Sequence, residues 1–191
     1  AQMDEADDPP PVHSDHATHV AGTLIGSGGG NYPQAIGMAP LANLQAWDWN
    51  RDLEEMADAA LAGLLVSNHS YSIAAGWIPY GQAEPNNWWW IGGAGNDEDP
   101  NFGYYDAESQ ALDQIANNAP HYLIVKAAGN DRWDIGPNPG ETYTIVDQEG
   151  VSQGTSTQSR HADCGQTGYD CLPGSTVAKN ILTVGAVNDV N

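Results

Sequence analysis

The chain has 191 residues and carries 25 Asp and Glu side chains against 5 Lys and Arg, which gives a formal charge of −20 at pH 7. This length fits one domain with enough chain to bury a core. The charge excludes nucleic acid and anionic membrane surfaces as partners, because neutralising phosphates requires Lys and Arg clusters that this chain lacks. No apolar run approaches the roughly twenty residues that span a bilayer.

Helical and strand-like patterns alternate along the chain. Apolar residues recur at helical spacing in three segments, at about residues 16–26, 52–63 and 106–118. Strands are predicted at about residues 42–49, 64–70, 122–128 and 181–187. Apolar strands separated by helices predict an α/β fold with three layers, a mostly parallel sheet with helices on both faces. In such sheets ligands bind beyond the carboxyl ends of the strands.

Two polar stretches interrupt this alternation, at residues 73–105 and 132–175, and we expect both to be loop insertions. The first contains the run Trp88–Trp90, and the second is rich in Gly, Pro, Ser and Thr, as long surface loops are. The three tryptophans are expected to pack the insertion onto the body of the domain rather than to line a substrate cleft.

The two cysteines, Cys164 and Cys171, enclose six residues that include two glycines. A disulfide could close this short loop, whereas two further ligands at the spacing of a zinc site are not evident. A disulfide predicts an oxidising, extracellular setting, so the protein is expected to be secreted. Two unpaired loop thiols are the alternative.

The segment Asp15–Thr23 reads D-H-A-T-H-V-A-G-T and opens the first predicted helix. Ser14 or Asp15 can cap this helix, which puts His16 in an exposed first turn. An imidazole there can take and return a proton near neutral pH.

Four further motifs follow in order: Gly37–Pro40 (G-M-A-P), Ser67–Ser72 (S-N-H-S-Y-S), Lys126–Asp131 (K-A-A-G-N-D) and the apolar run Ile181–Val187. Together with Asp15–Thr23, this series resembles the subtilisin-like serine proteases (the subtilases) over nearly the whole chain. Several ordered matches are far more specific than one.

The resemblance implies a role for each site residue. His16 is the general base and general acid, and the Asn130 side chain is the oxyanion donor. The substrate-binding edge is implied to consist of Ser70, Tyr71, Ser72, Ala128 and Gly129. Because the family normally has glycine where this chain has Ser72, we expect a narrower specificity pocket.

The residues alone leave alternatives open for both catalytic candidates. His16 could be an ordinary surface histidine, or it could share a metal with His19 on the same helix face, although no third ligand is in register. We interpret His19 as a helix residue packed beneath the site. Asn130 could instead serve as a left-handed turn residue.

Two family motifs are not found among these 191 residues: the D-S/T-G that carries the catalytic aspartate and the G-T-S-M-A-x-P that carries the serine nucleophile. The tripeptide ending at Ser156 matches the start of the latter, but it precedes Ile181–Val187 and opens no apolar helix, so we interpret Ser156 as a loop residue. Residues 1–191 are therefore expected to be an incomplete, central part of one catalytic domain, inactive alone, with the rest of that domain as a candidate partner.

The implied function is that of a serine endopeptidase, which hydrolyses polypeptides through an acyl-enzyme and needs no cofactor for the chemistry. The alternative is a non-catalytic, subtilase-like binding module (a pseudo-protease), and the presence of both His16 and Asn130 favours the enzyme. Structural calcium occurs in subtilase loops, and Asp97 and Asp99 in an oxygen-rich loop are weak candidates for calcium ligands. A solvated acidic loop is the favoured interpretation of that segment.

Overall fold

The computed structural model of the chain describes residues 14–29, 31–79, 88–165 and 170–187. The chain divides into two compact units, residues 1–59 and residues 60–191. Within the described ranges, no helix is both long enough and apolar enough to cross a bilayer.

The first unit contains helix α1 (Asp15–Ile25) and most of helix α2 (Asp52–Leu61). Ser14, rather than Asp15, caps α1, because its Oγ accepts a hydrogen bond from the backbone N–H of Ala17 at 3.1 Å. Both helices begin and end within two residues of their predicted bounds, which confirms these elements.

The apolar stripe of α1 is less exposed than the rest of the helix but is not buried. Val20, Ala21, Leu24 and Ile25 are half-buried, whereas most of the other helix residues are exposed. The helical spacing therefore correctly identifies the inward face, although the described residues do not cover it completely.

The G-M-A-P turn packs against the end of α1. The backbone N–H of Gly37 donates to the Gly26 carbonyl at 2.7 Å, and that of Ala39 donates to the Leu24 carbonyl at 2.7 Å. A Cβ on Gly37 would lie 2.5 Å from the Gly26 nitrogen, so only glycine fits this close approach.

The strand predicted at residues 42–49 is not formed, apart from a single bridge residue at Ala46. A strand is stable only where a neighbouring strand takes its backbone hydrogen bonds. The described residues of the first unit contain no strand.

The described residues of the second unit form helix α3 (Ala107–Asn118) and seven strands. The strands are β1 (Val66–His69), β2 (Trp77–Pro79), β3 (Trp88–Trp90), β4 (Leu123–Ala127), β5 (Tyr143–Val146), β6 (Ser152–Ser156) and β7 (Leu182–Val184). They form an all-parallel sheet with the order β1-β4-β7 and a mixed sheet with the order β2-β3-β5-β6. The predicted α/β class and the presence of a parallel sheet are confirmed.

The two faces of the parallel sheet differ in burial. On one face the side chains of Ile124 and Lys126 are buried, and α3 contacts β4. On the opposite face four apolar side chains are 42–55% exposed, namely Val66, Leu123, Leu182 and Val184. Since β1 is at the end of the strand order, its outer edge has no paired strand among the described residues.

The segments predicted as loop insertions contain the four strands of the mixed sheet, so they are not loop throughout. Residues 73–105 contribute β2 and β3, and residues 132–175 contribute β5 and β6. These strands are only three to five residues long. Strands this short give little periodic signal, and the pairing of β3 with β5 joins segments that are distant in sequence.

Trp77 and Trp90 lie in the core of this mixed sheet and Trp88 packs against it, so packing is confirmed for Trp88 and Trp90. Trp77 lies 4.9 Å from Trp90 and 4.7 Å from Tyr143 between ring centroids, and Ile145 completes the buried cluster. Trp88 packs against its side. Aromatic pairs at these distances add to the stabilisation from buried area.

Cys164 and Cys171 form the predicted disulfide, with their Cα atoms 4.4 Å apart. The link closes the loop that follows the mixed sheet, and the preceding residue, Asp163, is buried. The disulfide prediction is therefore confirmed.

Candidate active site

Two segments of predicted site residues follow neighbouring parallel strands. β1 and β4 pair in a register that sets His69 opposite Lys126, so Ser70 and the segment 128–130 leave the sheet at the same edge. The carboxyl ends of parallel strands are where such folds bind ligands. This placement agrees with the one expected from the sequence.

Gly129 and Asn130 have different backbone conformations in the turn after β4. Gly129 has φ +97°, and a Cβ on it would lie 2.7 Å from Asp131 Oδ2 and 3.3 Å from Pro173 Cδ. Asn130 follows with φ −116° and ψ −1°, is exposed, and makes no side-chain hydrogen bond to the 3₁₀ turn that it precedes. The alternative that Asn130 is itself the left-handed turn residue is therefore wrong, because Gly129 occupies that conformation.

Residues 70–72 form the segment opposite this turn. Ser70 Oγ accepts a hydrogen bond from Asn68 Nδ2 at 2.9 Å, and the Tyr71 hydroxyl lies 2.7 Å from His69 Nδ1. Ser72 Oγ donates to the carbonyl of Pro173 at 3.5 Å. On the other strand, the Ala128 N–H donates to the carbonyl of Val184 at 2.9 Å, which ties β4 to β7.

His16 is exposed in the first turn of α1, as predicted. It belongs to the first unit, whereas Ser70 and Asn130 belong to the second, so its approach to them stays a prediction. His19 is also exposed. The interpretation of His19 as a packed residue is wrong.

Ser156 is the last residue of β6, where it pairs with Tyr143, and not a loop residue as predicted. Its Oγ accepts a hydrogen bond from the Gln158 N–H at 3.0 Å. Ser156 opens no helix, whereas the family's nucleophile stands at a helix N-terminus.

The comparison with protein families agrees with this geometry. The chain matches the profile of the subtilase family over residues 2–191. It belongs to the subtilase family. Comparisons with curated proteins and with solved structures gave no significant match. Membership implies serine peptidase activity and polypeptide substrates for this subtilase.

The subtilase also has a group of three carboxylates that sequence reasoning missed. Asp131, Asp134 and Asp163 each offer an oxygen atom, and these atoms lie within 4.8 Å of one another. Asp163 is 5% exposed, and both of its carboxylate oxygens lie 3.0 Å from the backbone N–H of Trp77, which donates to them. Asp131 directly follows the oxyanion candidate Asn130. Because Asp163 is far from Asp131 and Asp134 in sequence, the three residues form no ligand motif that could be recognised from the sequence.

The three carboxyls repel one another and are partly desolvated. Burial, opposed by the Trp77 hydrogen bond and reinforced by Asp131, Asp134 and Asp99, raises the pKa of Asp163 to about 8. Burial and then Asp131 raise the pKa of Asp134 to about 6, and burial also raises the pKa of Asp131. Such a cluster favours protons or a cation.

The donor set of this cluster fits a hard cation such as Ca²⁺, which prefers carboxylate oxygens. The two calcium candidates predicted from the sequence are not members of this group. Asp97 accepts a hydrogen bond from Gln158 Nε2 at 2.9 Å and lies outside the cluster. Asp99 borders the cluster, but its carboxylate accepts from the N–H groups of Gly76 and Asn101.

Proposed function

We propose that this chain supplies the central part of the catalytic domain of a subtilisin-like serine endopeptidase. The observation that carries the proposal is the shared edge of β1 and β4, where Ser70 and the exposed Asn130 leave paired parallel strands. The complete domain is a three-layer fold with helices on both faces of its parallel sheet.

Each site residue has a step in this mechanism. His16 takes the proton of the serine nucleophile and later gives it to the leaving amine, while the Asn130 amide donates to the oxyanion of the tetrahedral intermediate. Residues 70–72 pair with the substrate backbone, and Ala128 and Gly129 form the facing wall of the specificity pocket. Backbone pairing at a strand edge gives affinity without requiring a particular substrate sequence.

The nucleophile is not supplied by these 191 residues, which are inactive alone, and the remaining pieces of the domain complete the site. A fluorophosphonate probe tests this. We expect no labelled serine in the 191-residue polypeptide, and labelling once it is joined to segments that carry D-S/T-G and G-T-S-M-A-x-P. Labelling of Ser156 would contradict the proposal, and a completed protein that binds peptides but stays unlabelled would be the non-catalytic binding module.

In the completed enzyme, His16→Ala tests the general base. General acid–base catalysis usually contributes about 10²–10⁴ in rate, so we expect turnover of a peptide ester to fall below about a tenth. His121→Ala, which removes another exposed histidine, is the control and should leave turnover unchanged. Turnover above about a tenth in His16→Ala would exclude the role of His16.

We propose further that Asp131, Asp134 and Asp163 bind a structural Ca²⁺, which would screen their mutual repulsion. They would join the turn after β4 to the loop that precedes the disulfide, because the Asp163 N–H also donates to the Asp134 carbonyl at 2.9 Å. The chemistry itself requires no metal. The confirmed disulfide and the acidic composition support secretion of the enzyme.

A further inference from the structure

A buried polar network lies behind the substrate-binding segment 70–72. The Tyr122 hydroxyl donates to Ser67 Oγ at 2.6 Å, Ser67 Oγ lies 2.7 Å from His69 Nε2, and His69 Nδ1 lies 2.7 Å from the Tyr71 hydroxyl. His69 is 8% exposed.

The Lys126 ammonium contacts the ring face of Tyr71. Its Nζ lies 4.7 Å from the Tyr71 ring centroid and 3.9 Å from Glu108 Oε1, and the residue is 3% exposed. Ser175 Oγ donates to the same Glu108 oxygen at 2.5 Å. A buried ammonium is tolerated only where it is paired, and the tyrosine ring and Glu108 provide that pairing.

We propose that Tyr71 is a positioning residue for peptide binding, and that His69 and Lys126 fix its side chain so that the backbone of residues 70–72 is preorganised. This inference rests on the proposed function, in which that backbone pairs with the substrate. Among the described strands, β1 is at the end of its sheet, and residues 70–72 continue directly from it. An unfixed segment would have to be ordered when the peptide binds, and this ordering lowers affinity.

The chain offers a matched control for both contacts. Lys179 Nζ lies 4.6 Å from the Tyr105 ring centroid, and the Tyr105 hydroxyl donates to Asp113 Oδ2 at 2.7 Å. Tyr71→Phe and Tyr105→Phe each remove one tyrosine hydroxyl. Lys126→Met and Lys179→Met each remove one ammonium above a tyrosine ring, and Lys126→Arg restores the cation.

Amide hydrogen exchange of residues 70–73, measured by mass spectrometry on the 191-residue protein, tests the network without requiring activity. Loss of one hydrogen bond or ring contact should speed exchange about threefold to tenfold in Tyr71→Phe and Lys126→Met. The two control variants should not change it, and Lys126→Arg should restore slow exchange. Unchanged exchange in both test variants would overturn the proposal.

Kinetics of the completed enzyme test the role in binding. We expect Tyr71→Phe and Lys126→Met to raise KM about threefold to tenfold with kcat within about twofold, because preorganisation acts equally on ground state and transition state. Faster exchange with an unchanged KM would overturn the role in substrate binding. A completed parent enzyme that neither cleaves peptides nor reacts with the fluorophosphonate would overturn the proposed function, whereas hydrogen exchange would still decide whether the network fixes residues 70–73.

Discussion

At the scale of single residues, one residue of the turn after β4 adopts the unusual backbone conformation and the next one carries the exposed polar side chain. Gly129 adopts the left-handed conformation and leaves room for Asp131 and Pro173, while Asn130 has an ordinary backbone and an exposed amide. The Asn130 side chain makes no hydrogen bond to the 3₁₀ turn that it precedes, which leaves its N–H groups for the proposed role as oxyanion donor.

Asn130→Ala should lower turnover of the completed enzyme with little change in KM, because the contact is made mainly in the transition state. Removing such a donor typically costs about 10²–10³ in turnover, a magnitude established within the subtilase family itself. Steady-state kinetics on a peptide anilide measure kcat and KM of the variant. Asn138→Ala, at another exposed asparagine, is the control, and an effect of Asn130→Ala confined to KM would exclude the oxyanion role.

At the scale of elements, local signals placed the helices and the parallel strands well. The Ser14 cap and apolar spacing defined α1, and continuous apolar runs defined β1, β4 and β7. The segment at 42–49 has a similar composition but forms no strand, because strand formation depends on a partner and not on composition alone.

Gly129→Ala should destabilise the turn that joins β4 to the site. The positive φ alone costs about 1–2 kcal/mol for a residue with a Cβ, and the contacts with Asp131 and Pro173 add to this. Gly63→Ala is the matched control, because Gly63 has φ +98° and its Cβ would meet no atom within 4 Å. Urea unfolding of both variants measures the difference. Equal losses of stability would show that the contacts at Gly129 cost nothing.

At the scale of the whole molecule, a small part of the acidic excess lies where burial gives it a large effect on stability. Asp131, Asp134 and Asp163 come from two segments of the second unit, and burial together with the neighbouring carboxylates raises the pKa values of Asp134 and Asp163. The stability of this subtilase should therefore depend on both pH and calcium.

Without metal, the melting temperature in EDTA should fall as pH rises from about 4 to about 8. The unfolded chain releases the Asp163 proton near the ordinary carboxyl value of 3.8, whereas the folded chain retains it up to a pKa of about 8. The folded state binds more protons across this window, so raising the pH favours unfolding. Asp163→Asn should flatten the profile. A profile for the parent protein as flat as that of Asp163→Asn would contradict the raised pKa.

Added calcium should restore stability most strongly near pH 8, because the ligands have to be deprotonated. Calcium at about 100 times its Kd stabilises by about 2.7 kcal/mol, or roughly 5–10 °C in Tm for a chain of this size. Differential scanning calorimetry with calcium and with EDTA measures this difference in Tm. Asp97→Asn should still be stabilised by calcium, whereas Asp163→Asn should not. The reverse result would show that calcium binds in the acidic loop that contains Asp97.

The sequence by itself determined the family, the three helices, the parallel strands, the disulfide and the position of Asn130 after β4, because each has a signal within a few neighbouring residues. Tertiary structure alone decided the mixed sheet, the carboxylate cluster and the network around Tyr71. The Trp77 N–H, for example, donates to a carboxylate 86 residues away. Such contacts depend on which distant segments the fold brings together, and neither periodicity nor spacing along the chain encodes that proximity.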